Sequence, residues 1–230
     1  RYNSFGSARE PFNWEDMCDI DFELPDINIQ EKYVKIYLSM IKNQKNYESG
    51  LEDLKLTCDG FIEKMRIESE SFSLDKYLTR RTEKNNDFLV SKLIGVGKEG
   101  FIEPKQSKDE TNGHICYLVK KNDFVFAPPQ IHEGSIDYYE GNDTIKCSDA
   151  YIVFYINNPK VLNPHYLLMI LKNPNIQHIM WFSRDGVREQ FNFEQLIELK
   201  IPIPPIEVQD SIANIYKSCL LYTSSEPTRL

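Results

Sequence analysis

The sequence has 230 residues, of which 41% are hydrophobic and 12% aromatic, so the chain can bury one or two ordinary cores and is not intrinsically disordered. Its formal net charge is −8, from 27 basic and 35 acidic residues, and no segment is strongly basic. This balance excludes an independent, strongly basic nucleic-acid binder. Any contact with DNA would use local lysines or a partner that supplies more positive charge.

The cysteine content and the hydropathy pattern indicate the compartment in which the protein is expected. The cysteines are scattered at Cys18, Cys58, Cys116, Cys147 and Cys219. Their odd number, the lack of a C-x-x-C pair and the unpatterned histidines predict no disulfide framework and no metal site, so we expect reduced thiols in a cytoplasmic protein. Apolar runs such as Ala150 to Ile156 are too short to span a bilayer, and no signal peptide is recognisable, so no membrane partner is expected.

The first part of the chain is repeated near its end. REPFNWEDMCDIDFELPDINIQEKYVKIYLS from Arg9 matches REQFNFEQLIELKIPIPPIEVQDSIANIYKS from Arg188 without a gap, at a constant offset of 179 residues (188 minus 9). Each copy predicts a short amphipathic helix, an extended strand, a proline break and the start of a helix; in the second copy the first two lie at Phe191–Leu196 and Glu198–Ile203. A match of this length indicates a duplicated unit, with residues 9–39 as its first copy.

Residues 31–67 predict a long helix with a heptad seam. Asn28 and Glu31 have capping-box spacing at its start. Apolar side chains then alternate at spacings of four and three, with Gln44 in the one polar position: Tyr33, Tyr37, Met40, Tyr47, Leu51, Leu54, Cys58, Phe61 and Met65. Over four heptads this favours a two-stranded coiled coil about 54 Å long. The alternative is an amphipathic helix packed on a core, since Gly50 and Gly60 weaken a helix.

The partner of this helix is largely missing. The second copy starts the same seam at Ile212 and Tyr216 and then ends in LYTSSEPTRL, which has no heptad. We therefore predict the start of a second conserved helix at residues 206–222 and a tail at 223–230. The unpaired seam predicts homodimerisation through the long helix or docking on another subunit.

The stretch SKLIGVGKEGFIEP, residues 91–104, contains the spacing G-x-G-x-x-G of a dinucleotide-binding turn. That motif requires a strand before it and a helix after it. Here a short extended run that ends at Pro104 follows the third glycine. We predict a hairpin between Phe88–Ile94 and Gly100–Glu103, and no nucleotide cofactor.

Residues 75–205 predict a β-rich α/β domain. The further strand candidates are His114–Lys120, Phe124–Ala127, Gly134–Tyr139 and Ala150–Tyr155, and the helix candidates are Pro164–Lys172 and Ile176–Phe182. Lysines and amides cluster around the hairpin and the loop KQSKDETNGH. This loop is either a solvated segment balanced by acidic residues or an element whose amides and lysines reach base edges and phosphates.

Asn163-Pro164-His165-Tyr166 lies one residue away from the [N/D]-P-P-[Y/F] signature of enzymes that methylate amino groups of DNA bases. Asn163 is also a good helix N-cap, and Pro164 suits the first helical position. No glycine-rich cofactor motif accompanies the tetrapeptide. We therefore predict a cap and no methyltransferase catalysis, with a cofactor-binding accessory fragment as an alternative.

Together these residues resemble one family, the specificity subunits of type I restriction-modification enzymes. The motifs that resemble its target recognition domains are, in order, Lys98-Glu99-Gly100 to Glu103, YLVKKNDFVFAPPQIHEGSI from Tyr117, SDAYIVF from Ser148, Pro164-His165-Tyr166-Leu167, Arg188 to Phe191 and IPIPPIEVQ from Ile201. The resemblance covers about Asp87 to Gln209. Residues 1–30 resemble the end of a preceding recognition domain.

The resemblance implies a non-catalytic subunit that binds double-stranded DNA. In the family, two recognition domains held apart by paired antiparallel helices each read one half of a bipartite site. Modification subunits then methylate adenine, and a motor-nuclease restriction subunit cleaves unmodified DNA. The long helix would be the spacer, about one and a half turns of B-DNA in length.

Nine side chains are our candidates for DNA contact. Those for base edges are Gln106, Asn112, Gln130 and His132, and those for phosphates are Lys98, Lys105, Lys108, Arg184 and Arg188. The chain has Ala127 to His132 where the family often has Asn-Pro-x-Arg-x-Asn, so no target sequence transfers. We expect a half-subunit, an excised fragment or a rearranged gene product; the alternative function is a structural coiled-coil protein or a silent fragment that binds no DNA.

Overall fold

The computed structural model describes residues 14–104, 115–184 and 190–224. The chain divides into two compact units, Arg1–Ser49 and Gly50–Leu230. The helices are α1 (Trp14–Cys18), α2 (Ile27–Glu68), α3 (Pro164–Leu171), α4 (Pro174–Phe182), α5 (Phe193–Glu198) and α6 (Ile206–Ser224). The strands are β1 (Ser71–Ser73), β2 (Leu78–Arg81), β3 (Leu93–Gly97), β4 (Gly100–Ile102), β5 (Cys116–Val119), β6 (Asp123–Phe126), β7 (Ile136–Tyr138), β8 (Ile145–Ser148), β9 (Ile152–Ile156) and β10 (Lys200–Pro202).

Helix α2 is the longest element, with 42 residues and therefore a length of about 63 Å. Its start differs from the predicted one. The Asp26 side chain accepts a hydrogen bond from the backbone N–H of Asn28 at 2.9 Å, so Asn28 already lies inside the helix. The predicted capping box of Asn28 and Glu31 is wrong, because the carboxylate two residues upstream caps the first turn.

Two four-stranded sheets and a two-stranded ribbon make up the β structure. The first sheet has the order β2-β9-β6-β7 and is antiparallel throughout. The second has the order β4-β3-β8-β5, in which β3 and β8 are parallel. The ribbon pairs β1, just after α2, with β10, just before α6. It joins the two ends of the recognition fold.

The first sheet separates two cores because successive side chains of a strand point to opposite faces. Phe124 and Phe154 stack at 4.9 Å between ring centroids and lie in the main core with buried residues of α3 to α6. Val125 and Val153 lie in a second core with residues of the second sheet. The result is a helix layer and two sheet layers, the mixed and β-rich class that the sequence predicted.

Most predicted elements are confirmed. The hairpin exists, but its first strand is Leu93–Gly97 and not Phe88–Ile94. Phe88 has a left-handed φ of 56°. The Asn85 side chain accepts a hydrogen bond from the N–H of Val90 at 3.2 Å and donates one to the Val90 carbonyl at 3.0 Å. This local turn overrides the apolar pattern. Strands β1, β2 and β8 were not predicted.

The repeat reappears in three dimensions. Helices α2 and α6 start at equivalent positions, Ile27 and Ile206. Gln30 donates to the carbonyl of Pro25 at 2.7 Å, and its equivalent Gln209 donates to the carbonyl of Pro204 at 2.8 Å. The local structure of the proline break is therefore the same in both copies.

The two glutamines differ in what surrounds them. Gln209 is fully buried, and its amide also donates to the carbonyl of Val161 at 2.9 Å and accepts from the N–H of Asn163 at 2.9 Å. Gln30 is partly exposed. In the second copy the glutamine thus joins the start of α6 to the start of α3.

We predict that Gln209→Ala lowers the free energy of unfolding by about 2 kcal/mol, because it leaves the partly buried carbonyl of Val161 and N–H of Asn163 without this partner. The matched variant Gln30→Ala is expected to change it by less than about 0.5 kcal/mol in the isolated chain. Urea denaturation followed by circular dichroism measures both. Equal effects of the two substitutions would contradict the role that we assign to Gln209, which is to join the start of α6 to the start of α3.

Candidate nucleic-acid interface

The β3–β4 hairpin presents Lys98 and Glu99 at its tip. Gly100 has a φ of +111°, and a Cβ at this position would lie 2.6 Å from Oδ2 of Asp137. The backbone N–H of Phe101 donates to the same oxygen at 3.2 Å. Burial raises the pKa of Asp137. The third glycine of the motif therefore serves close packing on β7, and the hairpin prediction is confirmed.

Lys172 fixes the other side of the hairpin. It follows the end of α3, and its Nζ donates to the carbonyl of Lys98 at 3.4 Å. Burial lowers its pKa, while the nearby carboxylates of Asp137 and Glu99 act in the opposite direction. The hairpin tip is thus held by a charged contact as well as by backbone pairing.

A 3-10 turn, Ile131–Glu133, lies next to α4. Gln130 precedes it and is exposed, while Ile131 is fully buried and anchors the turn. Gly134 closes the turn with a φ of +91°. The backbone N–H of Phe191 donates to the carbonyl of Pro128 at 3.1 Å, which holds the preceding turn. Gln130 therefore projects from an ordered turn.

A three-residue stack connects this turn to the end of α4. The rings of His132 and Trp181 meet edge to face at 4.4 Å between centroids. The guanidinium carbon of Arg184 lies 3.4 Å from the centre of the Trp181 ring, and Arg184 Nε donates to the Trp181 carbonyl at 3.0 Å. Burial and the charge of Arg184 lower the pKa of His132, so its ring is neutral at pH 7.

A cleft of about 1010 Å³ opens between these elements. Its walls carry both lysines and acidic residues: Lys55, Lys98, Lys172 and Lys217 with Asp59, Glu99, Glu133, Asp137 and Glu140. At one end, Oε1 of Glu140 accepts from Lys217 Nζ at 2.9 Å and lies 3.2 Å from His165 Nε2. Burial raises the pKa of Glu140, but Lys217 and His165 lower it by more, so that its pKa lies below the ordinary value. The cleft is charged but not basic.

Four of the nine candidate residues lie in the described part of the chain. Lys98 lines the cleft together with Glu133, Gly134 and Gln177, whereas His132 and Arg184 meet at Trp181 and, like Gln130, are not among the residues that line the cleft. Lys105, Gln106, Lys108, Asn112 and Arg188 lie outside the described residues. Trp181 and Lys172 were missed by sequence reasoning. The spacing Trp181-x-x-Arg184 across the end of a helix was the signal that could have identified the stack.

The Asn-Pro-His-Tyr tetrapeptide is a helix start, as predicted. The Asn163 side chain accepts from the N–H groups of His165 and Tyr166 at 2.8 and 3.1 Å, and Pro164 is the first helical residue. The side-chain amide nitrogen of Asn163 donates to the carboxylate of Asp210 at 2.7 Å. Both ends of the amide are therefore occupied by contacts within the fold.

Two further features concern ligands and membranes. Among residues 14–104, 115–184 and 190–224, no group of three or more His, Cys, Asp or Glu side chains could hold a metal ion. Within the same ranges, no helix combines the length and apolar character needed to cross a membrane.

Residues 64–223 match the model of the type I restriction modification DNA specificity domain. The chain belongs to this family. The specificity subunits of type I systems are non-catalytic, in agreement with the prediction of a chain without catalytic residues. A protein of Methanocaldococcus jannaschii, provisionally named the type I restriction enzyme MjaX specificity subunit, is 28% identical over 126 residues, which are 53% of this chain and 29% of that protein.

Solved specificity subunits are similar in fold over part of their length. The HsdS subunit from Thermoanaerobacter tengcongensis has 12% identity, a TM-score of 0.47 and coverage of 98% of this chain and 60% of its own. The type I S subunit from M. genitalium has 15% identity, a TM-score of 0.48 and coverage of 86% and 54%. This specificity chain thus spans little more than half the length of these structures.

We predict that acidification destabilises this specificity domain through His132. Folding lowers the pKa of His132, so the neutral ring stabilises the folded state fully at pH values above the pKa in the unfolded chain, about 6.5. This contribution is lost as the pH falls through the lower pKa of the folded state. The melting temperature should fall more steeply between pH 7 and pH 5 in the native chain than in His132→Phe, which keeps an aromatic ring against Trp181. Calorimetry at each pH measures the slopes, and parallel slopes would rule out this contribution.

Proposed function

We propose that this chain supplies DNA sequence recognition to a type I restriction-modification enzyme and reads one half of a bipartite target. The observation that carries the proposal is the ordered presentation of candidate side chains by the hairpin tip, the 3-10 turn and the segment at the end of α4, in a chain whose family is the DNA specificity domain. Lys98 and Arg184 would contact phosphates, and Gln130 and His132 would contact base edges.

The electrostatics favour a recognition role that depends on partners. The cleft beside the hairpin tip has acidic and basic walls, and the whole chain has a net charge of −8. Phosphate contacts dominate the affinity of DNA-binding proteins and require positive charge. Modification subunits would therefore clamp the DNA, and the restriction subunit would join through the same complex.

The first unit has the features of a segment that closes a second recognition domain. Apolar side chains of Arg1–Ser49 are exposed where their repeat equivalents are buried in Gly50–Leu230. Phe22 is 73% exposed and its equivalent Ile201 is 0% exposed; Met17 is 47% exposed and its equivalent Leu196 is 0% exposed. We assign residues 1–30 to the end of an upstream recognition domain and residues 75–205 to the domain contained in this chain.

The long helix, predicted as a spacer at 31–67, has three stretches with different surroundings. At its C-terminal end Cys58 and Ile62 are buried in the main core, and Phe61 packs against it. At its N-terminal end, Tyr33 and Tyr37 are exposed, but their equivalents Ile212 and Tyr216 on α6 pack in that core. The middle stretch, from Met40 to Leu54, is therefore the one that we assign to a partner helix.

Helix α6 covers the predicted range 206–222 and would be the start of the second conserved helix. Its N-terminal half packs on α3. The competing proposal is a structural or silent fragment that does not bind DNA. Methylation mapping separates the two.

We predict that co-expression with the cognate modification subunit produces adenine methylation at one defined motif. Single-molecule sequencing of a random DNA library measures it. A palindromic bipartite motif is expected if two copies of this domain assemble through the long helix, because each copy then reads one half-site. A chain that binds the modification subunit but directs no methylation would support the silent fragment instead.

We predict that the isolated chain dimerises through the middle stretch of α2. The double variant Met40→Glu, Tyr47→Glu should weaken the dimer at least about 10-fold, because it places charges in an apolar seam. The matched control Lys42→Glu, Lys45→Glu changes exposed polar positions of the same stretch and should leave it unchanged. Sedimentation velocity measures the dissociation constants.

A second pair of substitutions separates the helix from the first unit. Met17→Asp with Phe22→Asp alters the apolar face that we assign to a second recognition domain. If this pair dissolves the dimer and the seam pair does not, then self-association uses that face and the assignment of the middle stretch is wrong.

A further inference from the structure

We propose that Asp59 and Glu63 are positioning residues that hold the recognition domain in one orientation on the long helix and thereby restrict the gap between the two half-sites. This inference rests on the proposed function and deepens it, because the gap is part of the target that a bipartite enzyme recognises. All the contacts that carry it lie within the second unit, Gly50–Leu230.

Asp59 contacts the start of α4 through the cap of that helix, Asn173. Oδ1 of Asn173 accepts from the N–H groups of Asn175 at 3.0 Å and Ile176 at 3.3 Å, which leaves Nδ2 for another partner. Nδ2 donates to Oδ1 of Asp59 at 2.7 Å, and Asn173 is only 2% exposed. One buried amide therefore both caps α4 and binds the long helix.

Glu63 makes a second contact one helical turn further along α2. Its Oε2 accepts from Nδ2 of Asn175 at 3.0 Å. Nη1 of Arg66 donates to both carboxylate oxygens of Glu63 at 2.9 and 3.0 Å, which holds the side chain in place. Residues four apart lie on one face of a helix, and negative side chains are favoured beside the first turn of another helix. Asp59 and Glu63 thus attach α2 to the start of α4 at two points.

The apolar contacts of the same stretch restrict the orientation of the helix less than these hydrogen bonds do. Cys58 and Ile62 are buried in the main core together with Ile176 and Met180. Apolar burial has no preferred direction, so it tolerates small rotations, whereas a hydrogen bond weakens steeply when its angle changes. The short link between α2 and β1, from Glu68 to Ser71, limits movement along the helix axis but not rotation about it. The two-point attachment therefore supplies the rotational restraint.

A small rotation at this junction becomes a displacement along the DNA. In the proposed function the long helix sets the distance between half-sites, and neighbouring base pairs are about 3.4 Å apart. A domain of the size of residues 75–205 has a radius of gyration of about 14 Å, so a rotation of about 14° moves a point at that radius by about one base-pair step. An enzyme that accepts one gap therefore needs the junction to be fixed.

The test uses the full chain co-expressed with its modification subunit and maps methylated motifs by single-molecule sequencing. In Asn173→Asp the new carboxylate still caps α4, because asparagine and aspartate are equally good caps, but it faces the carboxylate of Asp59 and repels it. The preference for the native gap over gaps one base pair longer or shorter should fall at least about 10-fold. The bases recognised within each half-site should be unchanged.

A reciprocal exchange and a stability control accompany this variant. Adding Asp59→Asn to Asn173→Asp exchanges donor and acceptor, so the hydrogen bond can form again and the preference should return to within about 3-fold of its native value. Val125→Ala creates a cavity in the second core, to which α2 contributes none of the described buried residues. It should lower the melting temperature and leave the gap unchanged.

The outcomes separate the inference from the proposed function. If Asn173→Asp lowers the melting temperature but keeps the native gap, the contacts only stabilise the fold; the inference is then overturned and the proposed function stands. A change of gap that Asp59→Asn does not reverse also overturns it. Should Asn173→Asp fail to fold, Asn175→Asp places a carboxylate at an exposed position opposite Glu63 and gives the same test. If the unsubstituted assembly directs no motif at all, the proposed function fails and the inference fails with it.

Discussion

The buried amide of Gln209 is the contact on which the arrangement of the recognition domain depends. It joins the proline break before α6 to the loop before α3, through the carbonyls of Pro204 and Val161 and the N–H of Asn163. Because Asn163 is also the cap of α3, the same contact fixes where that helix starts. The far end of α3 leads to Lys172, which supports the hairpin tip. A contact at the domain's closing segment therefore influences the geometry of the candidate interface.

The exposure of the first copy of the repeat also depends on which contacts are local and which need a neighbouring surface. A proline break with a glutamine forms locally, so the Gln30 hydrogen bond is made without a domain beside it. The apolar side chains around Gln30 cannot be buried by local contacts, because only another surface removes them from water. Residues Phe193 to Lys217 already fill the equivalent place on the domain in this chain. A domain that takes up the first copy would hold it at the place that residues 193–217 occupy on the domain in this chain.

Several elements could be predicted from the sequence because their causes are local. Asn163 and Pro164 specify a helix start, and Pro104 excludes the helix that a dinucleotide fold requires. The three missed strands are short and depend on neighbours: β1 pairs with β10, which lies more than a hundred residues away. The heptad pattern of α2 was read correctly as an apolar stripe. Periodicity cannot say whether Cys58 meets a helix or a core, since both require the same spacing.

The candidate interface combines weak net charge with rigid positioning, and this combination suits a subunit that discriminates between sequences. Affinity for DNA comes mainly from phosphate neutralisation, whereas discrimination comes from donors and acceptors held in fixed directions. The acidic residues that stand beside the lysines of the cleft would limit non-specific attraction to DNA. Asp137 and the stack of His132, Trp181 and Arg184 fix the hairpin and the end of α4 before any ligand arrives. If this surface reads DNA as proposed, it would lose little conformational entropy on binding, and a wrong base would be penalised by unpaired polar groups that cannot rearrange to find other partners.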